Sequence, residues 1–173
     1  MKQSYATVLL VLMCLGLCLF LSACSQNKPP TEASLIEAFH AHRSAHEHLH
    51  EMLLADKQVQ IVASWGVETT ASKVPKIPPT EDLSAARFQE YLEALKQAGG
   101  ASASRARGED ADTDVGVWAA GWAGDTRHVS ICYRARPPVN QVSGLDAYHE
   151  GSEKQPHGVF RHIEGRWYIW ADW

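Results

Sequence analysis

The chain is predicted to fold as a single α+β domain. Two N-terminal helices would pack on an antiparallel sheet of about 4–5 strands that ends in a β-hairpin. Before residue 100, apolar residues recur every three or four positions, as in an amphipathic helix; after it they alternate with polar residues, as in strands. Near the end, Glu164-Gly165 separates two strand-like runs, which is typical of a two-residue hairpin turn.

Residues 1–23 are predicted to be a signal peptide. The apolar run Val8–Leu21 spans 14 residues, which is too short to cross a bilayer, since a spanning helix needs about 20. Leu21-Ser22-Ala23-Cys24 then resembles the lipobox of bacterial lipoproteins at all four positions. That resemblance implies cleavage before Cys24, a diacylglycerol thioether on its sulfur, and acylation of the new N-terminus, for example with palmitate. The alternative is an ordinary secretory signal followed by a chance cysteine.

Residues 24–31 are predicted to carry the lipid on Cys24 and to form a short tether that includes Pro29-Pro30. The six residues Ser25–Pro30 of this segment span at most ~20 Å if extended, so the single domain at 32–173 would lie close to the membrane. Ser25 stands where a signal for retention in the inner membrane would show Asp. By analogy with other lipoproteins, this favours the outer membrane, facing the periplasm.

The composition after cleavage is mildly acidic. Removal of Lys2 leaves 15 basic and 20 acidic residues, which gives no reason to expect nucleic acid as a partner. Cys132 is the one cysteine that follows Cys24 in the sequence, so an intramolecular disulfide is not expected. Alternation around Cys132 predicts a buried, inert thiol.

The first helix is predicted over Glu32–Asp56. Thr31 is a suitable N-cap, and Ser34 with Glu37 offers an alternative capping box. Spacings of three and four place six residues on one face, which therefore mixes apolar side chains with histidines: Leu35, Phe39, His42, His46, Leu49 and Leu53.

Val59–Trp65 predicts either a short strand or a helical extension. Val74–Thr80 contains three prolines and is predicted to be a linker. The second helix should begin after Thr80 as N-cap and end at Gly99-Gly100, because glycine takes the left-handed conformation without strain. Its apolar face would consist of Phe88, Tyr91, Leu92 and Leu95.

The remaining chain predicts strands separated by polar loops. Small residues over Ala101–Arg107 indicate an edge strand, and Gly108–Asp114 an acidic loop. Val115–Ala120 and the alternation of Val129, Ile131 and Tyr133 indicate two further strands.

Gly158–Ile163 and Arg166–Trp173 are predicted to pair as the terminal hairpin. In this register Ile163 faces Arg166, His162 faces Trp167, and Phe160 faces Ile169. Aromatic residues fall on both faces of the last strand. The hairpin is therefore either covered on both sides, or exposes one apolar face to a partner.

The stretch Phe160–Ile169, together with Phe39–Asp56 and the lipobox, resembles small proteobacterial lipoproteins of uncharacterised function. The resemblance covers most of the chain after the signal peptide. It implies an anchored envelope protein and assigns no activity, because the matching motifs are structural.

His46-Glu47-His48-Leu49-His50 matches the H-E-x-x-H signature of zinc metalloproteases. On a helix, His46 and His50 would face the same way and share a Zn²⁺, with Glu47 activating its water and His42 as a further ligand. The extended pattern with Gly and another His is absent after His50. Metal binding by His42, His46 and His50 is therefore favoured over catalysis, and a His-rich face that is partly packed and partly solvated is favoured over both.

The sequence thus predicts a membrane-anchored periplasmic lipoprotein that binds a protein partner and is not an enzyme, for example an envelope accessory or a toxin-immunity protein. Cys24 is its lipid attachment site, and no catalytic or cofactor residues are assigned. The alternative is a metal-binding protein or zinc hydrolase that uses the His-rich first helix. A third hypothesis is a small-ligand pocket between helices and sheet, for which the sequence defines no ligand.

Overall fold

The computed structural model describes residues 28–106, 111–122, 125–146 and 158–172. The predicted signal peptide, Cys24, residues 108–110 of the acidic loop, His149, His157 and Trp173 lie outside these ranges. Within them, no helix has both the length and the apolar character needed to cross a bilayer.

The described residues form three helices and one antiparallel sheet of seven strands, which confirms the α+β class. The strand order is β2-β1-β3-β4-β5-β7-β6. The elements in chain order are α1 (Glu32–Ala41), α2 (Arg43–Ala55), β1 (Val59–Ala63), β2 (Gly66–Thr69), α3 (Ala85–Ala98), β3 (Ser102–Arg105), β4 (Thr113–Trp122), β5 (Asp125–Tyr133), β6 (Val159–Glu164) and β7 (Trp167–Asp172).

The helices cover one face of the sheet. Strand register places Val62, Ala103, Val115, Ile131 and Ile169 in one row across five strands, and all five are buried in the cores that the helices close. This is the predicted layer arrangement.

The sheet has more strands than expected because Val59–Trp65 supplies a strand and not a helical extension. β1 pairs with β2 as an additional hairpin between the helices, with Val62 opposite Val67. Gly66 has φ 138°, and a Cβ there would lie 2.8 Å from the Lys76 carbonyl oxygen, so only glycine fits.

The prediction of one helix over Glu32–Asp56 was wrong, because the chain breaks at His42. This residue has φ −121° and ψ 20°, and its N–H donates to the carbonyl of Ala38 at 3.0 Å. The break lets α1 and α2 cover different parts of the sheet. Thr31 caps α1 as predicted, accepting from the Ser34 N–H at 3.3 Å.

The third helix begins at Ala85 and not directly after Thr80. Ser84 is its N-cap and accepts from the Arg87 N–H at 3.1 Å. Thr80 instead caps a preceding turn, in which its hydroxyl accepts from the Leu83 N–H at 3.0 Å. Gly99 ends the helix in the left-handed conformation at φ 67°, as predicted.

The predicted edge strand at Ala101–Arg107 is an interior strand. β3 pairs with β1 on one side and with β4 on the other. Ser102 lies opposite Gly116, where an added Cβ would come 2.7 Å from the Ser102 hydroxyl. The small residues of this segment therefore allow neighbouring strands to pack closely. The composition of one strand does not distinguish this close packing from an exposed edge.

The predicted register of the terminal hairpin was wrong by one residue. Phe160 lies opposite Trp170 and His162 opposite Tyr168, with a bulge at Ile163 before Glu164 meets Trp167. The extra bulge residue moves the turn from Glu164-Gly165 to residues 165–166. Trp167 and Tyr168 are both buried, so the strand is covered on both faces.

Two apolar cores lie under the helices. The first is formed by α2 and α3 on β1–β4, and includes Leu49, Leu53 and Tyr91. The second is formed by α1 on β5–β7, and includes Phe39 and Trp167. Val117 on β4 packs against both cores. Leu145, which falls in a predicted polar loop, is also buried in the second core.

Candidate functional site

His46, the first histidine of the H-E-x-x-H motif, is a core residue with 1% exposure. Its ring lies 5.6 Å from the Phe39 ring and 6.2 Å from the Trp167 ring, measured between centroids. Burial lowers the pKa of His46 to about 4, with a smaller effect from His42. The imidazole is therefore neutral at pH 7. Its Nδ1 has no hydrogen-bond partner in the described part of the chain.

His50, the second histidine of the motif, is held by contacts of its own. Its ring is stacked on Tyr133 at a centroid distance of 4.0 Å. Its Nδ1 lies 3.0 Å from the Thr113 hydroxyl oxygen, a hydrogen bond between α2 and β4. Burial lowers the pKa of His50 as well.

The other motif residues also have structural contacts. Glu47 accepts from the Arg43 Nε at 2.8 Å, and Arg43 also pairs with Glu164 at 2.6 Å. His42 is exposed at the helix break. Among the described residues, no group of three or more His, Cys, Asp or Glu could hold a metal ion. Metal binding by His42, His46 and His50 therefore stays a prediction, and the described residues show no set of ligands for it.

Cys132 is fully buried in β5, which confirms the predicted buried thiol. Its Sγ donates to the Ser130 carbonyl at 3.5 Å. Burial raises the pKa of the thiol well above its ordinary value, so the reactive thiolate is disfavoured.

The segment around the β1–β2 hairpin exposes apolar side chains. Trp65 is 51% exposed, Val74 69% and Ile77 74%. Val139 is the fourth large apolar residue exposed in the described ranges, and it lies elsewhere in the chain. We name the surface formed by residues 65–77 the hairpin surface. The sequence identified part of it only as a proline-containing linker, so the exposure of Val74 and Ile77 was missed.

The hairpin surface has a fixed backbone. The Val67 N–H donates to the Lys76 carbonyl at 2.8 Å, and the Lys76 N–H donates to the Val67 carbonyl at 3.0 Å. These two bonds attach the proline-containing segment to the outer edge of β2. Beside it lies a groove of about 890 Å³, whose lining includes Ile77 and Asp82.

No protein-family model, curated protein or solved structure matches this chain. The resemblance to small lipoproteins therefore remains a prediction from the sequence.

Proposed function

We propose that this protein is a lipid-anchored, non-enzymatic module of the bacterial envelope that binds a protein partner through the hairpin surface. Its acyl chains would be attached to Cys24, and its location would be the periplasmic side of the outer membrane. The observation that carries the proposal is the concentration of exposed apolar side chains at Trp65, Val74 and Ile77. Exposed apolar patches mark interaction sites, and tryptophan is frequent among residues that dominate binding energy.

The terminal hairpin, which the sequence allowed as an alternative partner surface, offers less support for this role. Its central side chains are buried inside the domain, at 6% exposure for Trp167, 5% for Tyr168 and 0% for Ile169. The hairpin surface differs because its apolar side chains lack such cover, while its backbone is held on β2 by the bonds between Val67 and Lys76. Fixed backbone geometry reduces the entropy that is lost on binding.

The position of the hairpin surface suits an anchored protein. Glu32, at the start of α1, accepts from Arg161 on β6 at 2.6 Å and from the Leu145 N–H at 2.6 Å. The tether therefore joins the domain beside β6, one edge of the sheet, while β2 is the opposite edge. Six interstrand steps separate these edges, about 29 Å at ~4.8 Å per step. A partner could then reach the hairpin surface without contacting the bilayer.

Affinity capture from envelope extracts, with the full chain in phospholipid nanodiscs as bait, tests the proposal. Replacing both Trp65 and Ile77 by serine should reduce the captured partner at least about tenfold, because buried anchors dominate affinity. Val139→Ser is the matched control, since it removes an apolar side chain that is 95% exposed outside the hairpin surface. Equal capture by wild type and the double variant would contradict the proposal.

The source of the captured protein distinguishes the two forms of this function. A partner from the cell's own envelope supports an accessory role. A partner delivered by a competing cell supports toxin immunity, and cells that lack the chain should then be sensitive to that toxin.

A further inference from the structure

A second cleft lies on the helix-covered side of the sheet, between the two cores. Leu35 and Phe39 of α1 form one wall, and Ala98 at the end of α3 forms the other. Val117 and Ile131 form the floor, and the volume is about 310 Å³. The cleft lies where the two cores meet, because α1 belongs to the second core and α3 to the first.

One buried polar group at this cleft lacks a partner. His46 lines the cleft, and its Nδ1 makes no hydrogen bond within the described residues. Buried polar atoms are nearly always paired in folded proteins, so an unpaired one indicates a missing partner. Apart from His42 and His46, the described lining contains no ionisable side chain. A charged ligand would lose its hydration there without a compensating charge.

We infer that this cleft binds a small, uncharged, mainly apolar molecule that carries one hydroxyl group, of which phenols are the simplest class. The hydroxyl pairs with His46 Nδ1, and the apolar body lies against Leu35 and Phe39. A hydroxyl both donates and accepts, so it satisfies Nδ1 in either neutral tautomer of the imidazole. Nδ1 is buried in the unbound protein, so this pairing requires the imidazole ring to turn toward the cleft as the hydroxyl enters. The volume lies at the lower end of small-molecule sites, which span roughly 300–1,000 Å³.

The test uses two probes of similar shape, 4-fluorophenol and 4-fluorotoluene. The second carries a methyl group where the first carries the hydroxyl. The full chain is held in phospholipid nanodiscs. Equilibrium dialysis sets the free concentration of each probe, so that uptake of the probe by the lipid does not affect the measured Kd. Methyl NMR signals of Leu35, Val117 and Ile131 report on the cleft, and the Ile77 methyl reports on the hairpin surface. We expect 4-fluorophenol to shift the cleft methyls alone, with Kd on the order of 1 mM for so small a ligand. The toluene should bind about fivefold more weakly, since one neutral hydrogen bond is lost.

Three variants assign the effect to its residues. His46→Phe keeps a ring of similar size and should remove the difference between the probes, whereas His48→Phe, at an exposed position on the same helix, should preserve it. Ala98→Leu fills the cleft and should weaken both probes at least about tenfold, which tests the inference even if His46→Phe does not fold. Unshifted cleft methyls, or equal affinities of the two probes for the wild type, would overturn the inference.

Discussion

His46 places a titratable ring inside an apolar core, so the stability of the folded chain should depend on pH. Because burial lowers its pKa to about 4, from an ordinary 6.5, the folded chain excludes a proton that the unfolded chain binds between these values. Stability therefore rises with pH across this window and is lost as pH falls from about 6.5 to about 4. At about 1.4 kcal/mol per pKa unit, His46 alone lowers the free energy of unfolding by about 3 kcal/mol as the pH falls across this window.

Urea unfolding between pH 7 and about pH 4 measures this dependence. His46→Phe should remove most of the slope, with a remainder from His50, whose pKa is also lowered by burial. His48→Ala, at an exposed histidine, should leave the slope unchanged. If His46→Phe retained the full slope, the assignment to His46 would be wrong.

Glu32 links α1 to β6 and to Leu145, and its removal should be more destabilising than is usual for a residue at a helix end. Its carboxylate accepts from Arg161 and from the Leu145 N–H, both at 2.6 Å. Glu32→Ala leaves these donors unpaired, and we expect a loss of about 1–3 kcal/mol in the free energy of unfolding. The control Glu37→Ala, at an exposed site on the same helix, should stay within about 0.5 kcal/mol. Equal effects of the two substitutions would contradict the linking role.

Local chemistry made some elements predictable. Thr31 caps α1 and Gly99 ends α3 because each depends on a hydrogen bond or a backbone angle within a few residues. His42 carries no such local signal, and the break there lets α1 and α2 pack in different cores. The interior position of β3 and the bulge at Ile163 are likewise set by strand pairing, which single-strand patterns do not encode.

The candidate site was harder to predict than the fold. The apolar period correctly placed His46 on the packed face of the helix but was wrong for His42, which is exposed. A helical period does not distinguish a ligand set from core packing. The imidazole rings of His46 and His50 instead pack against aromatic side chains from three other elements, namely Phe39 of α1, Tyr133 of β5 and Trp167 of β7. Ile77 was missed because apolar residues among prolines give no periodic signal.

For the whole molecule, α1 begins beside β6, where Glu32 accepts from Arg161, while the proposed partner surface includes β2 at the opposite edge of the sheet. The proposed anchor can be tested separately. Cys24→Ser is expected to abolish incorporation of radiolabelled palmitate and membrane retention of the mature domain, because one residue carries the proposed lipid. Cys132→Ala, which alters a buried thiol, should still be labelled. Unchanged labelling of Cys24→Ser would contradict the lipoprotein assignment.

Photo-crosslinking in living cells, with p-benzoylphenylalanine placed at Ile77 or at Val139, tests whether the hairpin surface binds a partner. Both positions are exposed, at 74% and 95%, so both report on whatever lies near them. We expect a discrete adduct of one protein partner from position 77 and no such adduct from position 139. Identical adduct patterns from the two positions, or none from position 77, would contradict a binding role for the hairpin surface.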